Sequence, residues 1–208
     1  MKKFIFISAL ILSVFFSSIN YTQEADTLKS SEWNFGIETD LYFTDPFILL
    51  PIIQANKGNL HLEARYNYED LKTASGWIGY DFFGGDEFEY FITPMVGGAV
   101  GRTNGIAAGL EFTFSYVGLE LYSESEYLFD FESSENNYFY SWTDLTYSPL
   151  DWLWFGVSGQ RTRLYQTDVE IDRGLILGAA YRNLQVTGYF YNVFTDNAFF
   201  ILSLASDL

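Results

Sequence analysis

Asn59-Leu60-His61-Leu62-Glu63-Ala64-Arg65-Tyr66-Asn67-Tyr68-Glu69-Asp70 is the stretch on which the fold turns. Leu60, Leu62, Ala64, Tyr66 and Tyr68 alternate with His61, Glu63, Arg65, Asn67 and Glu69, and a strict period of two marks a β-strand with two opposite faces. One face is apolar and aromatic; the other is polar and mostly ionisable. In a soluble sheet the ionised face meets bulk water, whereas in a transmembrane barrel the apolar face meets lipid and the polar face lines the interior.

The same alternation recurs on either side. Ile106, Ala108, Leu110, Phe112, Phe114 and Tyr116 alternate with Ala107, Gly109, Glu111, Thr113 and Ser115. Leu119, Leu121, Tyr127 and Phe129 are opposed by the acids Glu120, Glu124, Glu126 and Asp130. Strands are expected over 33–43, 47–55, 59–70, 75–83, 87–100, 106–116, 119–130, 138–147, 152–165, 175–181, 184–194 and 198–208, about 12 in all. The second contains Pro51, which fits a strand only near an edge, an end or a bulge. Counting back from the C-terminus, short turns at 182–183, 148–151, 117–118, 84–86 and 56–59 fall on one side. The polar loops 132–137 and 166–172 fall on the other, as in bacterial barrels with even strand numbers. No linker or helical periodicity divides the chain, so residues 23–208 read as one domain.

Residues 1–22 read as a secretory signal peptide, with Lys2 and Lys3 ahead of an apolar run from Phe4 to Phe16 that is too short to span a bilayer. There is no cysteine, which excludes a lipoprotein anchor and disulfides. Loss of Lys2 and Lys3 would take the formal charge from −16 to −18. So acidic a chain is not suited to nucleic acid or an anionic surface, both of which need a cationic face. Aromatic residues make up 20% of the chain, a share that matches the interfacial girdles of membrane barrels. Past the leader no stretch of about 18 apolar residues remains to form a membrane helix. Only a closed barrel avoids unpaired sheet edges in lipid.

A soluble sandwich or lipocalin-like barrel also alternates, with its apolar face inside. The strand number, the C-terminal strand ending in Leu208 and the cysteine-free signal peptide favour an all-β, transmembrane, antiparallel up-and-down β-barrel. The stretch 60–70, together with Thr93-Pro94-Met95-Val96-Gly97-Gly98, Thr103-Asn104-Gly105-Ile106-Ala107, Leu119-Glu120-Leu121-Tyr122-Ser123-Glu124 and Gln160-Arg161-Thr162-Arg163, resembles a family of small, largely uncharacterised, porin-like outer-membrane β-barrels of Gram-negative bacteria. That resemblance implies a location in the outer membrane and brings no established reaction or ligand with it. In size and strand count the chain is also similar to the twelve-stranded substrate-specific porins. Their oligosaccharide channels typically have cationic linings, which this acidic face does not match.

With the polar parity taken as inward, the lumen is expected to be lined by Glu38, Asp40, His61, Glu63, Arg65, Glu69, Glu111, Glu120, Glu124, Glu126 and Arg182, with Asn67, Asp81, Glu87, Glu89 and Asp144 on the same faces. Acid groups around water attract cations, so an open lumen would pass cations or small polar solutes. Twelve strands lie between the filled interior of eight and the wide channel of sixteen. Arg161 and Arg163 share parity with Phe155 and Val157. Either a bulge turns them inward, or they sit outside near the headgroups, where arginine suits lipopolysaccharide phosphates or a loop-base salt bridge with Asp168, Glu170 or Asp172. Asp168, Glu170 and Asp172 lack the glycine and terminal glutamate of a calcium loop and read as a solvated loop, so no metal site or cofactor is expected.

His61, the one histidine, has no serine motif beside it, and no enzyme is expected. The leading reading is a porin-like outer-membrane channel with an acidic lumen, whose partners are outer-membrane lipid, lipopolysaccharide and small cationic or polar solutes, with the oligomeric state left open. A closed structural or surface-interaction barrel is the alternative; an outer-membrane hydrolase is a third reading.

Overall fold

The computed structural model describes residues 32–164 and 170–208; of residues 162–164 and 170 only the backbone is described. The expected signal peptide, the Arg163 side chain and Asp168 lie outside that set.

Alternating sequence gives β1 (Asn34–Phe43), β2 (Ile48–Lys57), β3 (Leu60–Tyr66), β4 (Ala74–Tyr80), β5 (Phe82–Gly84), β6 (Phe88–Val100), β7 (Gly105–Tyr116), β8 (Leu119–Asp130), β9 (Tyr138–Leu150), β10 (Leu153–Leu164), β11 (Glu170–Tyr181), β12 (Leu184–Tyr191) and β13 (Phe199–Asp207). Strands adjacent in sequence pair antiparallel, except β4 and β5, which both pair with β6, and β1 pairs with β13. The sheet therefore closes on itself. β4 and β5 are one strand of the wall, because Gly79↔Met95 and Phe82↔Ile92 keep a single register across Asp81. The ladder skips the pair opposite Pro94, which has no N–H to give. Counted this way, the wall is a twelve-stranded antiparallel barrel.

β2 is a full member of the wall, paired to β1 from Ile48 to Asn56 and to β3 from Ile52 to Lys57. Pro51 lies one residue beyond the β3 pairing, in the one-sided setting that tolerates proline. The reference strand is shorter than its pattern suggests. It ends at Tyr66, because Asn67 adopts φ 62° and breaks the alternation there. Tyr68, expected on the outer face, is thereby carried inside. At the same rim β11 begins at Glu170, ahead of the expected 175, and β12 stops at Tyr191 where Asn192 (φ 50°) starts a turn.

The apolar parity faces outward all round. Ile37, Leu49, Ile53, Ile78, Val96, Ile106, Phe155, Val157, Leu175 and Leu177 are exposed on the barrel exterior. Aromatic rings cluster toward both rims, as Trp33–Phe35, Tyr80–Phe82 and Tyr147–Phe155 at one end and Phe43–Phe47, Phe43–Phe200 and Tyr127–Phe129 at the other. An exterior that is apolar in the middle and aromatic at the rims is built for a bilayer, and so large an apolar surface has no place in water. The rim at which β1 begins and β13 ends carries the tight turns of residues 117–118, 151–152 and 182–183, and in bacterial barrels that rim faces the periplasm.

Candidate functional site

Inward parity places the ionisable side chains of nearly every strand in one interior, which divides into two halves. The periplasmic half encloses a cavity of about 740 Å³ that runs from Glu87, Val117, Gly118 and Asp151 at the inner turns up to Tyr68, Trp142 and Tyr189. The outer half is packed. One buried cluster joins Trp77, Met95, Leu128 and Tyr138; a second joins Trp142, Tyr191 and Ile201; Tyr140 touches both. Glycine makes room for these rings on the wall: a Cβ at Gly97 would overlap the Trp77 ring, and one at Gly174 would meet the Tyr191 ring at 2.9 Å. The interior thus holds a vestibule in its inner half and packed side chains in its outer half.

Arg65 stands at the junction of the two halves. Its Nε donates to Glu63 Oε2 at 2.5 Å and its Nη1 to Glu124 Oε1 at 2.5 Å, while Nη2 reaches Glu111 Oε1 at 3.2 Å. Glu126 Oε2 lies 3.7 Å away. The guanidinium also stacks between the Tyr68 ring at 4.5 Å and the Trp77 ring at 4.9 Å. One buried cation therefore serves four carboxylates, which is the pairing that makes buried charge tolerable. Tyr68 adds a hydrogen bond from its hydroxyl to Glu124 Oε2 at 2.6 Å.

Nearer the inner rim, His61 is almost wholly buried. Its Nδ1 lies 2.9 Å from Asn56 Oδ1, and its Nε2 lies 3.1 Å from Glu63 Oε1 without the alignment of a hydrogen bond. Gln54 Nε2 donates to the same Glu63 oxygen at 2.9 Å. Behind the ring, Asp81 accepts from Thr93 Oγ1 at 2.8 Å. Across the barrel, Trp142 Nε1 and Ser158 Oγ donate to Asp144 Oδ1 at 2.6 and 2.5 Å. Glu38 accepts from Ser203 Oγ at 2.8 Å.

The structure brings Glu38, Asp40, His61, Glu63, Arg65, Glu111, Glu120 and Glu124 onto the wall of the one cavity. Glu69 and Glu126 are also inside, but in the packed half, where Glu69 accepts from Ser75 and Trp77 and Glu126 from Tyr138 Oη at 2.7 Å. Arg182 is a correction. It occupies the exposed turn between β11 and β12 with φ 56°, and its guanidinium lies 5.4 Å from the Tyr181 ring, because the turn lifts it off the inner wall. Arg161 resolves its own ambiguity: the β9–β10 register runs unbroken from Phe155 to Leu164, so Arg161 is exposed on the exterior, 5.9 Å from the Phe139 ring. No bulge turns it inward.

The charge pattern overlooked the groups that fill the barrel. Tyr138, Tyr140 and Trp142 share inward parity with Asp144, and parity alone would have found them. Tyr68 was hidden by a single positive φ, and Asn56 and Gln54 by their lack of charge.

No sequence family matches the chain, and no curated relative matches it. Among solved structures it is similar to the KdgM porin, with a TM-score of 0.62 at 13% identity over 82% of this chain and 98% of that one. It is equally similar to the KdgM porin in complex with disordered oligogalacturonate, with a TM-score of 0.63 at 13% identity and the same coverage. Pseudomonas aeruginosa OpdQ aligns with a TM-score of 0.45 at 11% identity over 81% of this chain and 57% of that one. The fold is that of an outer-membrane porin barrel.

Proposed function

We propose that this chain is a porin-like channel of the Gram-negative outer membrane whose acidic vestibule draws in cations and small cationic or polar solutes. The observation that carries the reading is the charge imbalance inside the wall. Glu38, Asp40, Glu63, Glu111, Glu120 and Glu124 face one cavity in which Arg65 is the permanently charged cation among the described residues. A low-dielectric wall focuses that negative potential into the lumen, concentrating cations and excluding anions. The KdgM porin is described with oligogalacturonate, a polyanion; the acidic lining here suits the opposite charge.

The packed outer half supports a second reading, a closed barrel that acts through its surface, with Arg161 outside at the headgroup level as a contact for lipopolysaccharide phosphate. An enzyme is the weakest reading: the polar groups around His61 include Asn56, Glu63, Asp81 and Glu111, and among the described residues no serine hydrogen-bonds it.

Single-channel recording of the refolded protein under a salt gradient separates these readings. Cation-selective steps whose selectivity falls when Glu38 and Glu120 are both changed to Gln are the expected result. Absence of conductance from a folded barrel overturns the channel and leaves the closed barrel.

A further inference from the structure

His61, Glu63 and Glu111 form a cluster that conduction does not require. Each offers a ligand atom, and the three atoms lie within 4.8 Å of one another on the vestibule wall. The histidine comes from β3 one residue above the inner rim, Glu63 from the next inward position of that strand, and Glu111 from β7.

The orientation of His61 is the informative feature. The ring is 3% exposed, and Asn56 Oδ1 stands 2.9 Å from Nδ1. A carbonyl oxygen accepts, so this contact suits a proton on Nδ1, and in that neutral tautomer Nε2 turns its lone pair toward Glu63. That buried Nε2 has no hydrogen-bond partner, yet Glu63 Oε1 stands only 3.1 Å from it. At that distance the two atoms need a positive centre between them, which a proton on Nε2 or a bound metal ion supplies. Adjacent ligand atoms on a metal with bonds of about 2.0–2.2 Å are separated by roughly this distance. The outer contacts also match what metal ligands need: Asn56 fixes the imidazole, Gln54 Nε2 donates to Glu63 Oε1 at 2.9 Å, and Arg65 holds Glu63 through its other oxygen, Oε2, and Glu111 through Oε1.

We propose that His61 Nε2, Glu63 and Glu111 bind a divalent transition-metal ion of the zinc or cobalt type. One imidazole and two carboxylates suit that class rather than Mg²⁺ or Ca²⁺, which prefer all-oxygen shells. A further coordination position opens on the vestibule, through which the ion enters from the periplasmic rim. The surplus of carboxylates over Arg65 supplies the compensating negative charge. The proposal rests on donor geometry and needs no flux, so it stands or falls separately from the channel reading.

The test uses the untagged mature chain refolded in detergent, with heat-modifiable gel migration as the check of folding and Zn²⁺ and Co²⁺ as probes. Equilibrium dialysis is expected to show one tightly held equivalent, and Co²⁺ a visible absorption band. His61→Gln and Glu111→Gln are each expected to weaken binding by more than the about 10–100-fold that loss of an outer-shell partner costs. Glu120→Gln, an acid of the same cavity outside the cluster, leaves it unchanged. His61 is the chain's single histidine. X-ray absorption of the wild-type zinc complex therefore decides the matter even if a variant fails to fold: imidazole scattering identifies His61. An all-oxygen shell, no bound equivalent, or binding indifferent to His61→Gln overturns the proposal, the last leaving diffuse attraction by the acidic wall.

Discussion

Tyr68 lies against the Arg65 guanidinium, with 4.5 Å between the guanidinium carbon and the ring centroid, and both residues bind Glu124. The contact joins an outer loop to the barrel wall. Residues 67–73 fold over the mouth, held by Asn67 N to Thr73 O at 2.9 Å and by Arg102 Nε to Asp70 Oδ2 at 3.0 Å. The loop's tyrosine is thereby lowered onto the cation at the top of the vestibule.

If that ring is part of the constriction, Tyr68→Ala raises single-channel conductance, whereas Tyr68→Phe leaves it near wild type. The phenylalanine keeps the ring and loses only the hydroxyl, at about 1.5–3 kcal/mol for a hydrogen bond to a charged group. Equal conductance in all three proteins would remove Tyr68 from the conduction path.

Arg65→Met deprives Glu63, Glu111, Glu124 and Glu126 of their shared partner. Loss of one side of a buried charge cluster costs about 3–5 kcal/mol. Urea unfolding in liposomes is expected to show that loss, with part of it recovered when Glu124→Gln is added. A stable Arg65→Met protein would mean that water compensates these carboxylates.

The lipid-facing assignment of the apolar parity has its own test in Ile53, exposed on the outside midway along β2. Ile53→Arg is expected to cost about 2–4 kcal/mol near the bilayer midplane. In a water-soluble barrel the same change at an exposed site would shift stability by only about 0.5 kcal/mol. Unfolding midpoints in liposomes distinguish the two.

Gly97→Ala tests the packing of the outer half, since the added methyl meets the flat face of Trp77. Overpacking of this kind costs about 1–3 kcal/mol, and Trp fluorescence should report displacement of the ring. Pairing it with Trp77→Phe should relieve part of the penalty.

The sequence by itself determined the architecture, because a period of two sorts side chains to opposite faces whatever the partners are, and twelve such runs with short turns on one side leave little but an even-stranded closed sheet. It also determined that most acids share one face of their strands, since parity along an unbroken strand is local, while the exposed apolar exterior shows that this face is the inner one. What it did not determine was anything set by a break in that parity or by contacts between distant strands. Asn67's positive φ moved Tyr68 inside, and the turn at Arg182 took that arginine off the wall. Only closure of the barrel brought Glu111 of β7 beside His61 and Glu63 of β3, and gathered four carboxylates around Arg65. Whether a twelve-stranded interior is filled or open depends on the volumes of rings contributed by β1, β4, β9, β12 and β13 together, a sum over tertiary neighbours that no single strand encodes.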